Sequence, residues 1–368
     1  MRLSWYWPYL RPEHLPLVDA MGARVDELVV HTIAGRIADD DLDRDHARID
    51  ATVPEVGVER ERSIAWMRSR ATIYASRVRH RSHRTREADL VHIVFVNRFT
   101  DWWALERLAR HRPLVTTVHD VVPHQTRLPA TVEHRLLDRL YRHAGELIVH
   151  HESVRRRLEA DFAVPRARIH EIPHWVLPAA SEHRDRPNSP PTVLAFGALR
   201  RNKGTEVLLD AIARRPDLDA RFVFAGRGVA DIEAHLRAAA ERDPRVHVEI
   251  GYIDEHRKHE LYREADVVAL PYTEFASQSG VLHDAYSHGR PVVVSDVGAL
   301  GETVRAEGTG LVVAPRDPAA LIDAIETITA DPQAWGAAAQ ASESVRSAND
   351  PDATADRLLE VYRYTLGR

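Results

Sequence analysis

QSGVLHDAYSHGRPVVVSDVGALGE, residues 278–302, runs from a polar turn into a helical pattern. It continues through Gly-Arg-Pro into a β-branched strand and ends in a second glycine turn. The helix carries one acid, Asp284, about one turn from its start. Backbone N–H groups at a helix start, aided by the helix dipole, favour anions. A carboxylate one turn further in would repel a phosphate in direct contact. It suits a vicinal diol instead, such as a ribose. Taken alone, an Asp that merely stabilises the first turn of its helix gives the same pattern.

Working outward from this stretch, strand and helix patterns alternate. Upstream strands are 192–197, 221–226, 245–250 and 266–271; 291–296 and 310–314 follow, with helical segments between them. This alternation predicts a doubly wound α/β domain over 192–350, with its ligand crevice at the carboxyl ends of the strands. The N-terminal half repeats the rhythm. Strands are expected at 2–7, 26–33, 88–96, 113–118 and 146–150, and helices at 12–21, 62–80, 101–110, 130–144 and 152–162. That gives a first domain over 1–178. The stretch 179–191, rich in Pro, Ser, Asn and charge, reads as a linker. The last segment, 351–368, is amphipathic and helical, and is expected to pack back on the N-terminal domain.

A second informative site is FGALRRNKG, 196–204. A strand ends at Gly197, a basic loop follows, and Gly204 opens a helix. Arg200 and Lys203 therefore sit beside a helix N-terminus, where two cations could clamp a pyrophosphate. A solvated basic turn would share the pattern.

Bulk properties narrow the classes. With 368 residues, two domains are expected. Hydrophobic content of 44% and charged content of 29% are those of a globular protein. Net charge is −5, which argues against nucleic acid as a partner. There is no cysteine, so disulfides and thiolate chemistry are excluded, and a cytoplasmic setting is expected. The N-terminus lacks the apolar core of a signal peptide. The best apolar run, 90–96, is broken by His92, so membrane contact would be peripheral at most, at the inner face. The basic run 78–86 could meet acidic head groups, although a solvated helix end is the simpler reading. The chain has only two lysines, Lys203 and Lys258, among 50 basic residues, which hints that each is placed for its compact ammonium. No metal-binding spacing is present, so no metal and no cofactor are expected.

Together the motifs resemble the retaining GT-B glycosyltransferases of family four, the nucleotide-sugar-dependent group 1 type. The likeness covers 190–315: FG-x-L-R-x-x-K-G, AG-x-G, G-Y-I-D, AD-V-V-A-L-P-Y, the opening stretch, and GLVV. It is thinner in the first half: ADLVHIVFV, V-T-T-V-H-D and I-H-E-I-P-H. The resemblance implies two Rossmann-like domains facing a central cleft, with the nucleotide-sugar donor on the second and the acceptor on the first. By the same resemblance, Arg200 and Lys203 hold the donor diphosphate and steady the leaving group. Asp284 corresponds to the second acid of the E-x7-E motif and binds the ribose. Ser279, Gly280 and Val281 match the loop near phosphate and sugar, and Gly251, Tyr252 and Ile253 the segment beside the nucleobase. Gly197, Glu274, Ser277 and Gln278 complete the donor side. His119 matches the histidine that faces the donor sugar and stands with Arg200 and Lys203 as a catalytic candidate.

The chain departs from the pattern twice. Ala276 occupies the place of the first acid, and Glu274 is near but out of register; Gln278 could share that acid's work. WYWPYLRPEH replaces the usual N-terminal Gly-Gly loop. Acceptor-side candidates are Trp7, Asp120, Trp102 and Trp103, because aromatic faces suit sugar C–H surfaces. The acceptor could be a small molecule, a polysaccharide or a lipid-linked sugar. The expected activity is metal-independent hexosyl transfer from a nucleotide-diphosphate sugar to a hydroxyl, with retention. An epimerase or phosphorylase of the same fold and a non-catalytic sugar-nucleotide-binding subunit stay open as alternatives.

Overall fold

A computed structural model describes residues 1–53, 87–96, 105–106, 108–122, 129–177, 184, 187–274 and 279–367. The helix expected at 62–80, the basic run 78–86, residues 101–104 and 107 of the helix expected at 101–110 with Trp102 and Trp103, and Ala276, Ser277 and Gln278 lie outside the described residues. The chain forms two compact units, Met1–Pro173 with Pro351–Arg368, and His174–Asp350.

The first unit is built on a parallel sheet of order β3-β2-β1-β4-β5-β6-β7. Its strands are β1 Arg2–Tyr6, β2 Glu27–Ile33, β3 Arg48–Val53, β4 Leu90–Ile93, β5 Leu114–Val118, β6 Glu146–Val149 and β7 Ile169–Glu171. The helices described are α1 Leu15–Gly22, α2 Ala130–His143, α3 Glu152–Phe162 and the C-terminal helix, Pro351–Thr365. β4 and β5 are buried throughout, as strands covered on both faces must be. Two edge-side strands, β3 and β7, escape the sequence expectation. β3 follows an acid-rich stretch and β7 has three residues, so neither shows a sustained apolar pattern.

His92 sits inside the apolar run without breaking the strand. Its Nδ1 lies 2.7 Å from the Tyr362 hydroxyl and its Nε2 2.8 Å from Thr117 Oγ1. Burial pushes its pKa down to about 3, so the ring is neutral and both nitrogens are satisfied. Trp5 Nε1 donates to the same Tyr362 hydroxyl at 3.0 Å. The C-terminal helix is thereby tied to the core of this unit, and Arg24 adds ion pairs to Asp352 and Asp356.

The second unit holds a parallel sheet of order β10-β9-β8-β11-β12-β13. Its strands are β8 Thr192–Phe196, β9 Arg221–Gly226, β10 Val246–Ile250, β11 Val267–Leu270, β12 Val292–Ser295 and β13 Gly310–Val313. Helices α4 Thr205–Arg214, α5 Ala230–Arg242, α6 Glu255–Glu264, α7 Gly280–Ser287, α8 Ala299–Glu307, α9 Pro318–Ala330 and α10 Pro332–Ala348 connect and cover them. Pro351–Thr365 is then α11. Among the described residues no helix is long and apolar enough to cross a membrane.

The Gly-Arg-Pro corner of the opening stretch has a structural cause. Arg290 is fully buried, and its Nε donates to the Tyr262 carbonyl at 3.0 Å near the end of α6. A cation there satisfies orphan carbonyls and matches the negative end of the helix dipole. The division between the units falls after Pro173, ahead of the 179–191 segment. The described part of that segment is stapled to the second unit. The buried Asp266 carboxylate accepts from Arg184 at 2.9 Å, from Asn188 N at 2.9 Å and from Thr192 N at 2.7 Å.

In both sheets the strand order reverses, between β1 and β4 and between β8 and β11. Such switch points open crevices at the carboxyl ends of the strands. In the second unit this place is closed from below by a backbone contact. Gly204 has a φ of +70°, and a Cβ on it would lie 1.7 Å from the Pro271 carbonyl oxygen. Gly204→Ala is expected to cost about 2–4 kcal/mol, combining left-handed strain with a clash against main chain. A urea titration checks this; a midpoint equal to wild type would contradict the contact.

Candidate functional site

The site begins where β8 ends. Gly197 is followed by Leu199, whose N–H donates to Arg227 O at 3.0 Å, so the chain still tracks its neighbour past the strand. Arg200 then turns out in an extended conformation, and Arg201–Lys203 forms one 3-10 turn before Gly204 and α4. Thr273 N donates to Asn202 O at 3.0 Å, which fixes this loop to the segment after β11.

Lys203 is brought back over the sheet. Its ammonium lies 3.7 Å from the centre of the Tyr272 ring, a cation–π contact. Burial, and then the neighbouring Arg200, push its pKa down to about 8. A cation so poorly solvated gains from an incoming anion. Arg200 is exposed and close enough to act on Lys203 electrostatically.

The second wall is the start of α7. Ser279 is its N-cap and is buried, and its hydroxyl lies 3.0 Å from the Tyr272 hydroxyl. Tyr272 therefore holds both walls, with its ring under Lys203 and its oxygen on Ser279. Gly280 is exposed and Val281 half-buried, with a Val281 methyl 3.3 Å from where a Gly197 Cβ would stand. Thus Gly197, Arg200, Lys203, Ser279, Gly280 and Val281 come together at the β8/β11 switch point.

Asp284 lies further along α7. Its carboxylate is 3.6 Å from Lys258 Nζ, and its main-chain carbonyl accepts from His288 Nδ1 at 2.8 Å. Tyr252 and Ile253 follow β10, and Tyr252 is 79% exposed, offering an open ring face. Glu274 goes elsewhere than to a partner in this cluster. It pairs with Arg316 at 3.0 Å and lines a groove of about 500 Å³ with Arg201, Asn202, Glu206, Thr273 and Pro318. Among the described residues no group of three or more ionisable ligands could hold a metal.

The first unit has its own carboxyl edge. His119 follows β5, and its Nε2 donates to the Val94 carbonyl at 3.0 Å. That bond leaves Nδ1 as the acceptor nitrogen of a neutral ring. Burial lowers its pKa, against the Val94 bond and Asp120, which raise it. Asp120 lies beside it, near enough to Tyr141 to help raise that phenol's pKa. Trp7 corrects the sequence expectation. It is 4% exposed and stacked on His14 at 4.7 Å, so its face is used in packing. Among the described residues the open aromatics at this edge are Tyr9 and Phe95, 39% and 40% exposed, with ring centres 5.0 Å apart. Phe95 is also 5.3 Å from His119. Tyr9 lies within the WYWPYLRPEH stretch and Phe95 at the end of a strand pattern. No spacing marks either, because exposure depends on which strands become neighbours.

Comparisons with known proteins agree with this architecture. A family model described as Glycosyltransferase Family 4 matches residues 19–179, and one described as Glycosyl transferases group 1 matches 190–331. The D-inositol 3-phosphate glycosyltransferase of Corynebacterium diphtheriae is 34% identical over 181 residues, covering 42% of this chain and 42% of that protein. The chain thus spans less than half the length of this relative. Sucrose-phosphate synthase from Thermosynechococcus elongatus superposes with a TM-score of 0.75 at 19% identity, over 100% of this chain and 99% of that one. HepE of Anabaena, solved in complex with UDP, gives 0.71 at 19% identity, over 99% and 100%. At such identities the likeness carries the fold: two Rossmann-like domains of the GT-B type.

The lowered Lys203 pKa has a definite sign. Between about pH 8 and the ordinary lysine value near 10.5, the unfolded chain holds a proton that the folded chain has lost. This group's contribution to stability therefore rises with pH across that window, and below about pH 8 its buried charge is a cost. Anion binding runs the other way, because it needs the ammonium. Pyrophosphate affinity should fall as pH rises past 8, with net proton uptake at pH 8.5 by calorimetry in buffers of different ionisation enthalpy. Lys203→Arg, charged throughout, should lose most of that uptake, which also controls for titration of pyrophosphate itself. Identical uptake in both proteins would rule out Lys203 as the anion contact.

Proposed function

We propose a function for this chain from its membership of the family-four GT-B glycosyltransferases: transfer of a hexose or related sugar from a nucleotide-diphosphate sugar to an acceptor hydroxyl, with retention of anomeric configuration. The observation that carries this reading is the pairing, at the β8/β11 switch point, of a poorly solvated Lys203 and a neighbouring Arg200 with the N-terminal starts of α4 and α7. That combination suits two linked phosphoryl groups. HepE, similar in fold, has been solved with UDP and with UDP-glucose, which favours the same class of ligand here.

In this reading the diphosphate lies between Arg200, Lys203 and the backbone N–H groups of Ser279–Val281. Asp284 takes the ribose, and the segment 251–253 flanks the base, with Tyr252 offering its open face. As the glycosidic bond loosens, negative charge grows on the departing phosphate. Arg200 and Lys203 meet that charge, a contribution of about 3–4 kcal/mol for a well-placed donor. The reading routes no step through a metal. The acceptor hydroxyl attacks on the face the diphosphate leaves, and that phosphate takes its proton. His119, with a fixed neutral tautomer, offers Nδ1 to a sugar hydroxyl. Tyr9 and Phe95 are the aromatic surface proposed for the acceptor, in place of Trp7.

Ala276, where the family carries an acid, favours a second reading: a subunit that binds the nucleotide sugar without transferring it. A thermal-shift panel of UDP, GDP, ADP and dTDP sugars identifies the donor, since a ligand of the folded state raises the melting temperature. Transfer assays with that donor then separate the two readings. Arg200→Ala and Lys203→Ala should each lower turnover by about 10²–10³-fold with the melting temperature kept. Near wild-type turnover in both would remove the clamp, and binding without turnover would favour the non-catalytic subunit.

A further inference from the structure

The loops after β8, β9 and β10 leave the second sheet side by side. Gly197 N donates to the Ala225 carbonyl at 2.9 Å and Leu199 N to the Arg227 carbonyl at 3.0 Å, while Gly251 N donates to the Gly226 carbonyl at 3.0 Å. Arg227 therefore stands between Arg200, one residue past Leu199, and Tyr252, one residue past Gly251. Chains paired in this way run about 5 Å apart. The Tyr252 ring is 79% exposed, and nothing lies within 4 Å of where a Gly251 Cβ would stand. Room for a ligand is thus left beside the chain at this end of the site.

The direction of Arg227 follows from its neighbour. Leu199 and Gly228 form a parallel bridge just past the strand ends. Leu199 packs in the core that α4 and α5 cover, Gly228 N donates to Glu233 Oε1 at 3.1 Å, and a Cβ on Gly228 would meet that side chain. Both positions therefore face α5. Side chains alternate along an extended chain, so Arg200 and Arg227 project to the other face, where Tyr272, α6 and α7 pack. Arg227 is exposed, and neither it nor Arg200 has a carboxylate partner among the described residues. Arg201, Arg257 and Arg316, on neighbouring elements, are each held by carboxylates. Two uncommitted guanidinium groups thus share one face of the switch point.

We propose that Arg227 is a specificity-determining residue that selects a guanine nucleotide, its guanidinium bridging O6 and N7 of a base laid against Tyr252. The inference rests on the donor reading above, which puts the diphosphate at Arg200 and the base at 251–253. In that reading Lys203 and the starts of α4 and α7 serve the diphosphate from the β8/β11 side. Arg227 stands on the opposite, β10 side of Arg200, toward the base. A guanidinium offers parallel N–H donors and no acceptor. Guanine presents two acceptors, O6 and N7, on one edge, which the fork meets together. Adenine sets an N6–H donor beside N7, so donor faces donor, and uracil has a single carbonyl at the corresponding edge and accepts one bond. Stacking on Tyr252 holds any base and leaves the choice between purines to the fork.

Calorimetric titration of GDP, IDP, 7-deaza-GDP, ADP and UDP tests the idea without a donor sugar or acceptor. GDP and IDP, which share O6 and N7, should bind the wild type about 10–100-fold more tightly than ADP and UDP. The 7-deaza analogue, lacking the N7 acceptor, should lose about 10-fold against GDP. Arg227→Ala should reduce the GDP-to-ADP ratio to about 3-fold or less. Arg227→Lys should do nearly the same, because a point charge has no fork. Melting temperatures establish that each variant is folded. If Arg227→Ala weakens GDP and ADP equally and keeps their ratio, Arg227 is a phosphate contact; the inference is overturned and the donor reading stands. The same follows from a wild type that favours ADP or UDP, or that binds 7-deaza-GDP as tightly as GDP. A wild type that binds none of the five nucleotides overturns the donor reading, and this inference with it.

Discussion

The loop after β8 can reach the end of β11 only because Gly204 has no side chain. Its left-handed backbone packs against the Pro271 carbonyl, and the Thr273 N–H to Asn202 carbonyl bond continues the seam. This contact sets where Arg200 and Lys203 stand relative to Tyr272, and through the Tyr272 hydroxyl relative to Ser279 and the start of α7. Two elements far apart in sequence then present cations and free backbone N–H groups to one place. A side chain at 204 would separate them by pushing on main chain, which cannot yield as a flexible side chain can. The positive surface of the site is thus a consequence of a packing constraint beneath it.

Much of this was legible because it is periodic or locally punctuated. Runs such as DVVALP and PVVVSD announce buried parallel strands, and glycines after them announce turns into helices. Arg200, Lys203 and Asp284 could be placed by their distance from those turns. What could not be seen is whatever depends on long-range neighbours. His92 looked like a break in an apolar run; it is a neutral hub joining β4 to β5 and the C-terminal helix. Asp266 binds a segment that resembled a free linker, because a carboxylate's partners are not written beside it. Trp7, an acceptor-side candidate by sequence, packs, whereas Tyr9 two residues on, unmarked by any pattern, is open.

The buried polar groups follow one rule. Arg290, His92 and Asp266 are each fully enclosed, and each bonds main-chain or side-chain atoms at an element end or a sheet crossing. Burial of such groups is costly unless partners are supplied. Here the partners tie α6, the C-terminal helix, Arg184 and Asn188 to their sheets, so the polar contacts specify how elements dock while the apolar cores supply the driving force.

The candidate site sets its charged groups differently, over an aromatic ring and beside an opposite charge. Lys203 stands over an aromatic ring, and burial, with Arg200 beside it, lowers its pKa to about 8. Asp284 has a cation at ion-pair distance. These two arrangements are complementary. In the proposed reading a diphosphate meets the cations Arg200 and Lys203, and a neutral pentose meets a carboxylate whose charge Lys258 balances, so that it does not oppose the phosphates beside it. In the proposed reading the two scarce lysines, one over an aromatic ring and one beside an acid, serve the charged and the uncharged parts of a single ligand.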